Sequence, residues 1–196
     1  MGSIHQLPLA KLAENLSVQL GIQDFVETGT YLGGSLEWGS RTFERVTTIE
    51  LRQDYHAAAR ARLTHLTNVD FRLGDSALEL KSVCETIKGP TLFWLDAHAG
   101  AGFFGQDDIC PLLTELEIIT CRKKDDVIFV DDVRAFLAPP PPPFDYSKWP
   151  TLDEVMRVVL RRNTTHTVVI NDTLIIAPRK VRETLAQLVF SIRPKI

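Results

Sequence analysis

Apolar positions in this chain alternate between short solid runs and spaced stripes, and that alternation predicts the order of its elements. Strand-length runs fall at 24–27, 46–50, 69–73, 91–95 and 127–130. Between them, helical spacing runs over roughly 35–44, 54–66, 76–87 and 111–121. Upstream, Leu9, Leu12, Leu16 and Leu20 form one stripe that Gly21 can close, so a helix is expected over 7–20. Strands that alternate with helices so regularly predict a parallel sheet covered on both faces. Right-handed crossovers then bring the strand C-termini to one edge, where ligands bind.

The end of the chain departs from this rhythm. Thr151-Leu-Asp-Glu154 is a capping-box pattern that opens a helix to about Arg162. Two runs follow, 166–170 and 173–177, joined only by Asn171-Asp172. A two-residue link of that kind makes a tight hairpin, so the last strand must run antiparallel to its neighbour. The expected fold is therefore α/β: a Rossmann-like, mostly parallel seven-stranded sheet with a C-terminal antiparallel β-hairpin and helices on both faces. Before that hairpin, Pro139 to Pro143 favour polyproline II and cannot pair within a sheet. The segment is either a rigid connector or a wall of a substrate pocket, with Phe144, Tyr146 and Trp149 as apolar contacts.

Size and charge narrow the class. With 196 residues, 44% of them apolar, the chain builds one well-buried core and is short for two. A net charge of -3 does not favour nucleic acid or an anionic membrane. The basic residues Arg157, Arg161, Arg162, Arg179, Lys180 and Arg182 read as solvated faces. Neither a membrane-spanning run nor the layout of a signal peptide is present, and Cys84, Cys110 and Cys121 lack metal-ligand spacing. A cytoplasmic protein is expected.

Candidate chemistry begins at Phe25-Val-Glu27-Thr-Gly29-Thr-Tyr-Leu-Gly33-Gly34-Ser35. A strand ends in a carboxylate, and a glycine-rich turn leads into a helix. The second strand ends in Glu50, 21 positions beyond Gly29, about the offset of a carboxylate that accepts both ribose hydroxyls. Tyr31 and Leu32 place bulk where a dinucleotide fingerprint needs glycine, which disfavours NAD. Glu27 would oppose a pyrophosphate and favour a cationic nucleoside such as S-adenosylmethionine. Asp75 and Ser76 can bind an adenine amino group or cap the helix that starts there.

Taken together, these residues resemble the class I S-adenosylmethionine-dependent methyltransferases, and within them the metal-dependent catechol O-methyltransferase-like and sugar O-methyltransferase group. The spacing Glu27-x-Gly29-x-Tyr31-x-Gly33-x-Ser35 is similar to that group's first motif, Thr48-Ile-Glu50 to its ribose-binding strand, and Leu73-Gly-Asp75-Ser76 to its adenine turn. Phe93-Trp-Leu-Asp96 and Phe129-Val-Asp131-Asp132 are similar to its two metal-binding strand ends. The resemblance covers residues 24 to 135 and the terminal hairpin. It implies a single domain over 1–196, with an N-terminal helix in 1–22, an active-site loop at 99–111 and the Pro-rich loop at 138–150. It also implies cofactor contacts from Glu27, Gly29, Thr30, Tyr31, Gly33, Ser35, Glu50, Asp75, Ser76 and Asp96.

Asp96, Asp131 and Asp132 follow the fourth and fifth strands directly. Clustered carboxylates need protons or a cation, and oxygen-only ligands suit a hard divalent ion such as Mg²⁺. Such an ion would orient a substrate hydroxyl and lower its pKa. The competing reading is that Asp131 and Asp132 only make turn or capping bonds. His98 is the candidate general base, with Asp96 beside it as the second catalytic residue. The catechol-type enzymes carry a lysine in this loop and this chain does not; related sugar-modifying enzymes use a histidine there. The glycines of 99–105 suit a loop that closes over substrate.

The expectation is O-methylation of a small-molecule or glycosyl hydroxyl, with S-adenosylmethionine and a divalent metal, no nucleic-acid or membrane partner, and a homodimer compatible with it. Two rivals stand beside it: an S-adenosylmethionine-binding protein without transferase activity, and a metal-dependent hydrolase, which leaves Glu50 without a role.

Overall fold

The computed structural model describes residues 4–98, 110–138, 145–162 and 164–192. The elements in chain order are α1 (Leu9–Leu20), β1 (Asp24–Thr28), α2 (Leu36–Thr42), β2 (Arg45–Glu50), α3 (Gln53–Arg62), β3 (Val69–Leu73), α4 (Ser76–Thr86), β4 (Thr91–Leu95), α5 (Leu112–Cys121) and β5 (Val127–Val130). They continue with α6 (Arg134–Leu137), α7 (Leu152–Leu160), β6 (Thr165–Ile170), β7 (Thr173–Pro178) and α8 (Arg182–Ile192).

The seven strands form one sheet in the order β3-β2-β1-β4-β5-β7-β6. Strands β1 to β5 are mutually parallel, and β7 runs antiparallel to both β5 and β6. The expected layout is therefore present, hairpin included. All residues of β1, β4 and β5 are buried. That is why these strands read as solid apolar runs: a central parallel strand is covered on both faces.

Successive side chains pass to opposite faces. Val26, Phe93, Leu95, Ile128 and Val130 pack under α4, α5 and α7, with Leu80, Leu116, Ile119 and Val159. Phe25, Leu92, Trp94, Val127 and Phe129 pack on the other face, against Leu12 and Leu16 of α1, Leu36 of α2 and Leu185 of α8.

Local signals account for the ends of elements. Gly21 closes α1 at φ 66, a left-handed position that costs glycine little. Thr151 and Glu154 form the capping box at the start of α7. Asn171 and Asp172, at φ 47 and 66, give the hairpin the twist its strands require. α6 and α8 were not expected from the apolar pattern. Among the described residues, no helix is long and apolar enough to cross a membrane.

The sheet order reverses direction between β1 and β4, because β1 leads outward to β2 and β3 while β4 leads to β5. The crevice at the C-terminal ends of β1 and β4 is the topological switch point, where an open α/β sheet binds its ligand.

Candidate functional site

The first turn of the site is built by glycine. Gly29 stands at φ +85, and a Cβ there would overlap the main-chain carbonyl of Asp96 at the end of β4. Its N–H donates to Ile49 O of β2 at 2.9 Å, and Asp96 N–H returns to Thr28 O at 3.0 Å. Gly29 thus closes β1 onto both neighbours. Gly33, at φ +68, turns the loop again, and a Cβ there would meet Leu63 at 2.8 Å.

Glu27 sits beneath this loop, 2% exposed, on the α2 side of β1. Its carboxylate accepts from Ser35 Oγ and from Thr48 Oγ1, the latter at 2.9 Å. Thr48 also lies 2.5 Å from Thr30 Oγ1. Burial raises the Glu27 pKa to about 7, against the opposing hydrogen bonds from Ser35 and Thr48. Glu27, Thr30, Ser35 and Thr48 therefore form one closed cluster that fixes the turn from inside. Thr48, on β2, is the member that sequence reasoning missed as a side-chain contact.

Glu50 closes β2 on the rim itself and is 7% exposed. One carboxylate oxygen accepts Tyr31 N–H at 2.8 Å and the other accepts Arg52 N–H at 2.9 Å. A carboxylate has about four acceptor positions, so each oxygen keeps capacity for one more donor. Around it stand half-exposed apolar groups. Leu51 follows it in the chain, Leu73 is its register partner on β3, and Tyr31 packs edge-on against Tyr55 at 4.8 Å between centroids. Exposed leucines beside a strand-end carboxylate are the signal that could have marked Leu51 and Leu73 as a flat apolar flank.

Asp75 caps α4, accepting Ala77 N–H at 2.8 Å on one oxygen. Ser76 is buried behind it and lies against Glu115 of α5. Glu115 is 1% exposed. Burial raises its pKa to about 7, opposed by the Ser76 and Thr28 hydroxyls. Sequence reasoning missed this group, since it occupies a helix stripe among apolar residues.

At the ends of β4 and β5, His98 lies between two carboxylates. Its Nε2 is 3.1 Å from Asp132 Oδ2 and its Nδ1 is 3.7 Å from Asp96 Oδ1. Trp149 packs edge-on to the imidazole at 5.5 Å. Burial works against the imidazolium, but the Asp132 hydrogen bond and the charges of Asp96, Asp132 and Asp131 outweigh it, and the His98 pKa is raised. Burial also raises Asp96 well above the carboxylate range. His98 opposes that shift, while Asp131, Asp132 and Glu27 add to it. Asp131 is pushed up to about 6, chiefly by burial. Asp132 is lowered, chiefly by its bond to His98.

The structure thus brings all the candidate residues to one edge of the sheet. Asp96, Asp131 and Asp132 do not present a cation cage there. Each oxygen of Asp132 already meets one partner, His98 on one and the Arg134 guanidinium on the other at 2.7 Å. Among the described residues, no group of three or more His, Cys, Asp or Glu is arranged to hold a metal ion. The contacts on Asp132 compete with a divalent ion, while Asp131 Oδ1 is buried without a hydrogen-bond partner. The glycine loop expected to close over substrate falls mostly within 99–109, and Pro139 to Phe144 with the Tyr146 side chain likewise lie outside the described residues.

No protein-family model matches the chain, and no curated protein matches it in sequence. Solved structures do. TomG from Streptomyces achromogenes, an O-methyltransferase of tomaymycin synthesis in complex with SAM, superposes with a TM-score of 0.59 at 21% identity, over 88% of this chain and 80% of that one. The fold is that of the class I methyltransferases. An O-methyltransferase from Bacillus cereus in complex with SAH gives a TM-score of 0.63 at 17% identity, over 90% and 83% of the two chains. The SAH-bound methyltransferase PaMTH1 of Podospora anserina gives 0.60 at 17%, over 91% and 80%. The methyltransferase fold accounts for the antiparallel β7 inserted beside β5, which the pattern of the chain end anticipates.

Proposed function

We propose that this chain is an S-adenosylmethionine-dependent O-methyltransferase acting on the hydroxyl of a small molecule or glycosyl group, as one domain. The observation that carries the reading is Glu50: a buried carboxylate at the rim, anchored by two backbone N–H groups, with acceptor capacity left on each oxygen and apolar groups flanking it. That combination suits the two hydroxyls of a ribose with a purine lying on Leu51 and Leu73.

When bound, S-adenosylmethionine supplies a methyl group on a sulfonium. The residues of the chain supply the rest. Glu50 would accept the ribose hydroxyls, and the second oxygen of Asp75 is left to accept from the adenine amino group. Glu27 and Asp96 would set carboxyl groups beneath the sulfonium and α-ammonium, whose positive charge favours loss of the protons that burial retains. Asp132 orients the imidazole of His98 through Nε2, so Nδ1 takes the proton of the acceptor hydroxyl as its oxygen attacks the methyl group. Trp149 covers one side of the imidazole and keeps water from it. No step is assigned to a divalent ion, because Asp132, one of the donors it would use, is engaged by His98 and Arg134.

The test is incubation with S-adenosylmethionine and a panel of hydroxyl acceptors, with S-adenosylhomocysteine quantified. Acceptor-dependent release supports the reading. Tight S-adenosylhomocysteine binding with no turnover on any hydroxyl reduces the chain to a nucleoside-binding protein. No binding at all removes the proposal.

A further inference from the structure

The acidic rim around Asp132 is linked to a part of the chain that is remote in sequence. Arg134, at the start of α6, reaches Asp132 Oδ1 at 2.7 Å with one terminal nitrogen and Asp172 Oδ2 at 2.5 Å with the other. Asp172 belongs to the two-residue turn between β6 and β7. It also accepts the backbone N–H of Arg134 at 2.9 Å on Oδ1, and its carbonyl accepts Val133 N–H at 2.9 Å. Asp172 therefore grips Arg134 by main chain and side chain together, and the neighbouring Val133 by main chain alone. On the far side of Asp132, the His98 side chain is 8% exposed and bridges toward Asp96. The result is a continuous row of contacts: Asp172, Arg134, Asp132, His98, Asp96.

A divalent ion at this edge would need the oxygens of Asp132 and would meet the Arg134 guanidinium at one and the His98 imidazole at the other. The imidazole is held in place by burial, its side chain being 8% exposed; the Arg134 side chain is 60% exposed and depends on Asp172 for its placement. We propose that Arg134 is the resident cation of this edge, that together with the His98 contact it occupies the side of Asp132 a divalent ion would need, and that Asp172 is the positioning residue that keeps Arg134 on Asp132. The inference deepens the proposed function, since it assigns charge balance at the proposed acceptor site to the chain itself. The turn of the terminal hairpin then has a purpose beyond pairing β7 with β5: it delivers a counter-charge.

Manganese serves as the probe, because it reports binding by loss of its free-ion magnetic resonance signal and needs neither cofactor nor acceptor. The full-length wild-type chain is expected to leave the signal unchanged at millimolar metal. The double variant His98→Ala/Arg134→Ala frees both oxygens of Asp132 and gains affinity by about tenfold or more. Adding Asp132→Asn to it abolishes the gain. Asp172→Asn releases Arg134 and gives a smaller gain, and Asp172→Glu restores exclusion, which a purely structural role for the turn would not do. Circular dichroism checks that each variant is folded. Stoichiometric manganese binding by the wild type that Asp132→Asn removes would overturn the proposal, whether or not the double variant folds. So would a folded double variant with no gain. Neither result depends on S-adenosylhomocysteine binding, so failure here and failure of the methyltransferase reading are separate outcomes.

Discussion

Gly29 packs its α-carbon against the main chain of Asp96, so that β1 and β4 end in direct contact at the switch point of the sheet. A Cβ at Gly29 would lie 2.8 Å from the Asp96 carbonyl carbon and overlap its oxygen, and the residue already stands at φ +85. Backbone on the receiving side cannot yield as a flexible side chain can. Gly29→Ala is expected to lower unfolding free energy by about 2–3 kcal/mol, from backbone strain and steric overlap together. It should also weaken S-adenosylhomocysteine binding. Gly89→Ala is the control, since a Cβ there meets nothing within 4 Å. Urea unfolding of the two variants separates them.

A second prediction concerns the opposite edge of the sheet. Arg122 and Asp126 form an ion pair at 3.1 Å with side chains 5% and 1% exposed. Arg122 also donates to the carbonyls of Cys84 and Gly89, and Asp126 accepts Thr91 N–H. Together they tie the end of α4 to the starts of β4 and β5. Arg122→Met leaves a buried carboxylate without its partner, so a loss of about 3–5 kcal/mol is expected in denaturant unfolding. A loss below about 1 kcal/mol would show the pair to be dispensable.

Glu27 and Glu115 make stability depend on pH. Burial raises each from 4.5 to about 7 in the folded chain. Between those values the unfolded chain has released its protons while the folded chain retains them, so each group lowers stability as pH rises from about 4.5 to 7. Glu115→Gln removes one such group with little change in shape. Its melting temperature is expected to gain on the wild type across that interval and to run parallel above it. Thermal melts over a pH series measure the difference.

His98 and Asp132 govern the expected rate profile. The His98 pKa is raised above its ordinary 6.5, burial opposing and the Asp132 bond leading the groups that favour the imidazolium. A base must be neutral to accept a proton, so turnover should rise with pH through a value above 6.5. Asp132→Asn should move that limb to lower pH and reduce the rate. His98→Ala should lower kcat by roughly 10²–10⁴ and leave S-adenosylhomocysteine affinity near wild type. Initial rates over a pH series, with any acceptor the panel yields, measure all three.

Much of this architecture was legible in the sequence, for identifiable reasons. Central parallel strands such as β4, with Thr91 to Leu95 all buried, must be apolar on both faces and so announce themselves. The carboxylates Glu27 and Glu50 end their strands and therefore fall on the ligand edge. What escaped was set by pairing at long range. Arg134 and Asp172 are 38 positions apart and meet only because β7 inserts beside β5. Asp132 carries the wrong partner for a metal ligand for the same reason. Glu115 hides within an apolar helical stripe, and only the approach of Thr28 and Ser76 gives it meaning. The short α6 offers four residues, too few for any periodicity.

The central claim is that Glu50 holds a ribose at this edge, and calorimetric titration of S-adenosylhomocysteine tests it most directly. The wild type should bind one molecule per chain without added metal. Glu50→Ala removes two charge-assisted acceptors and should weaken binding by about 10²-fold or more. Affinity unchanged in a folded Glu50→Ala chain would contradict the account.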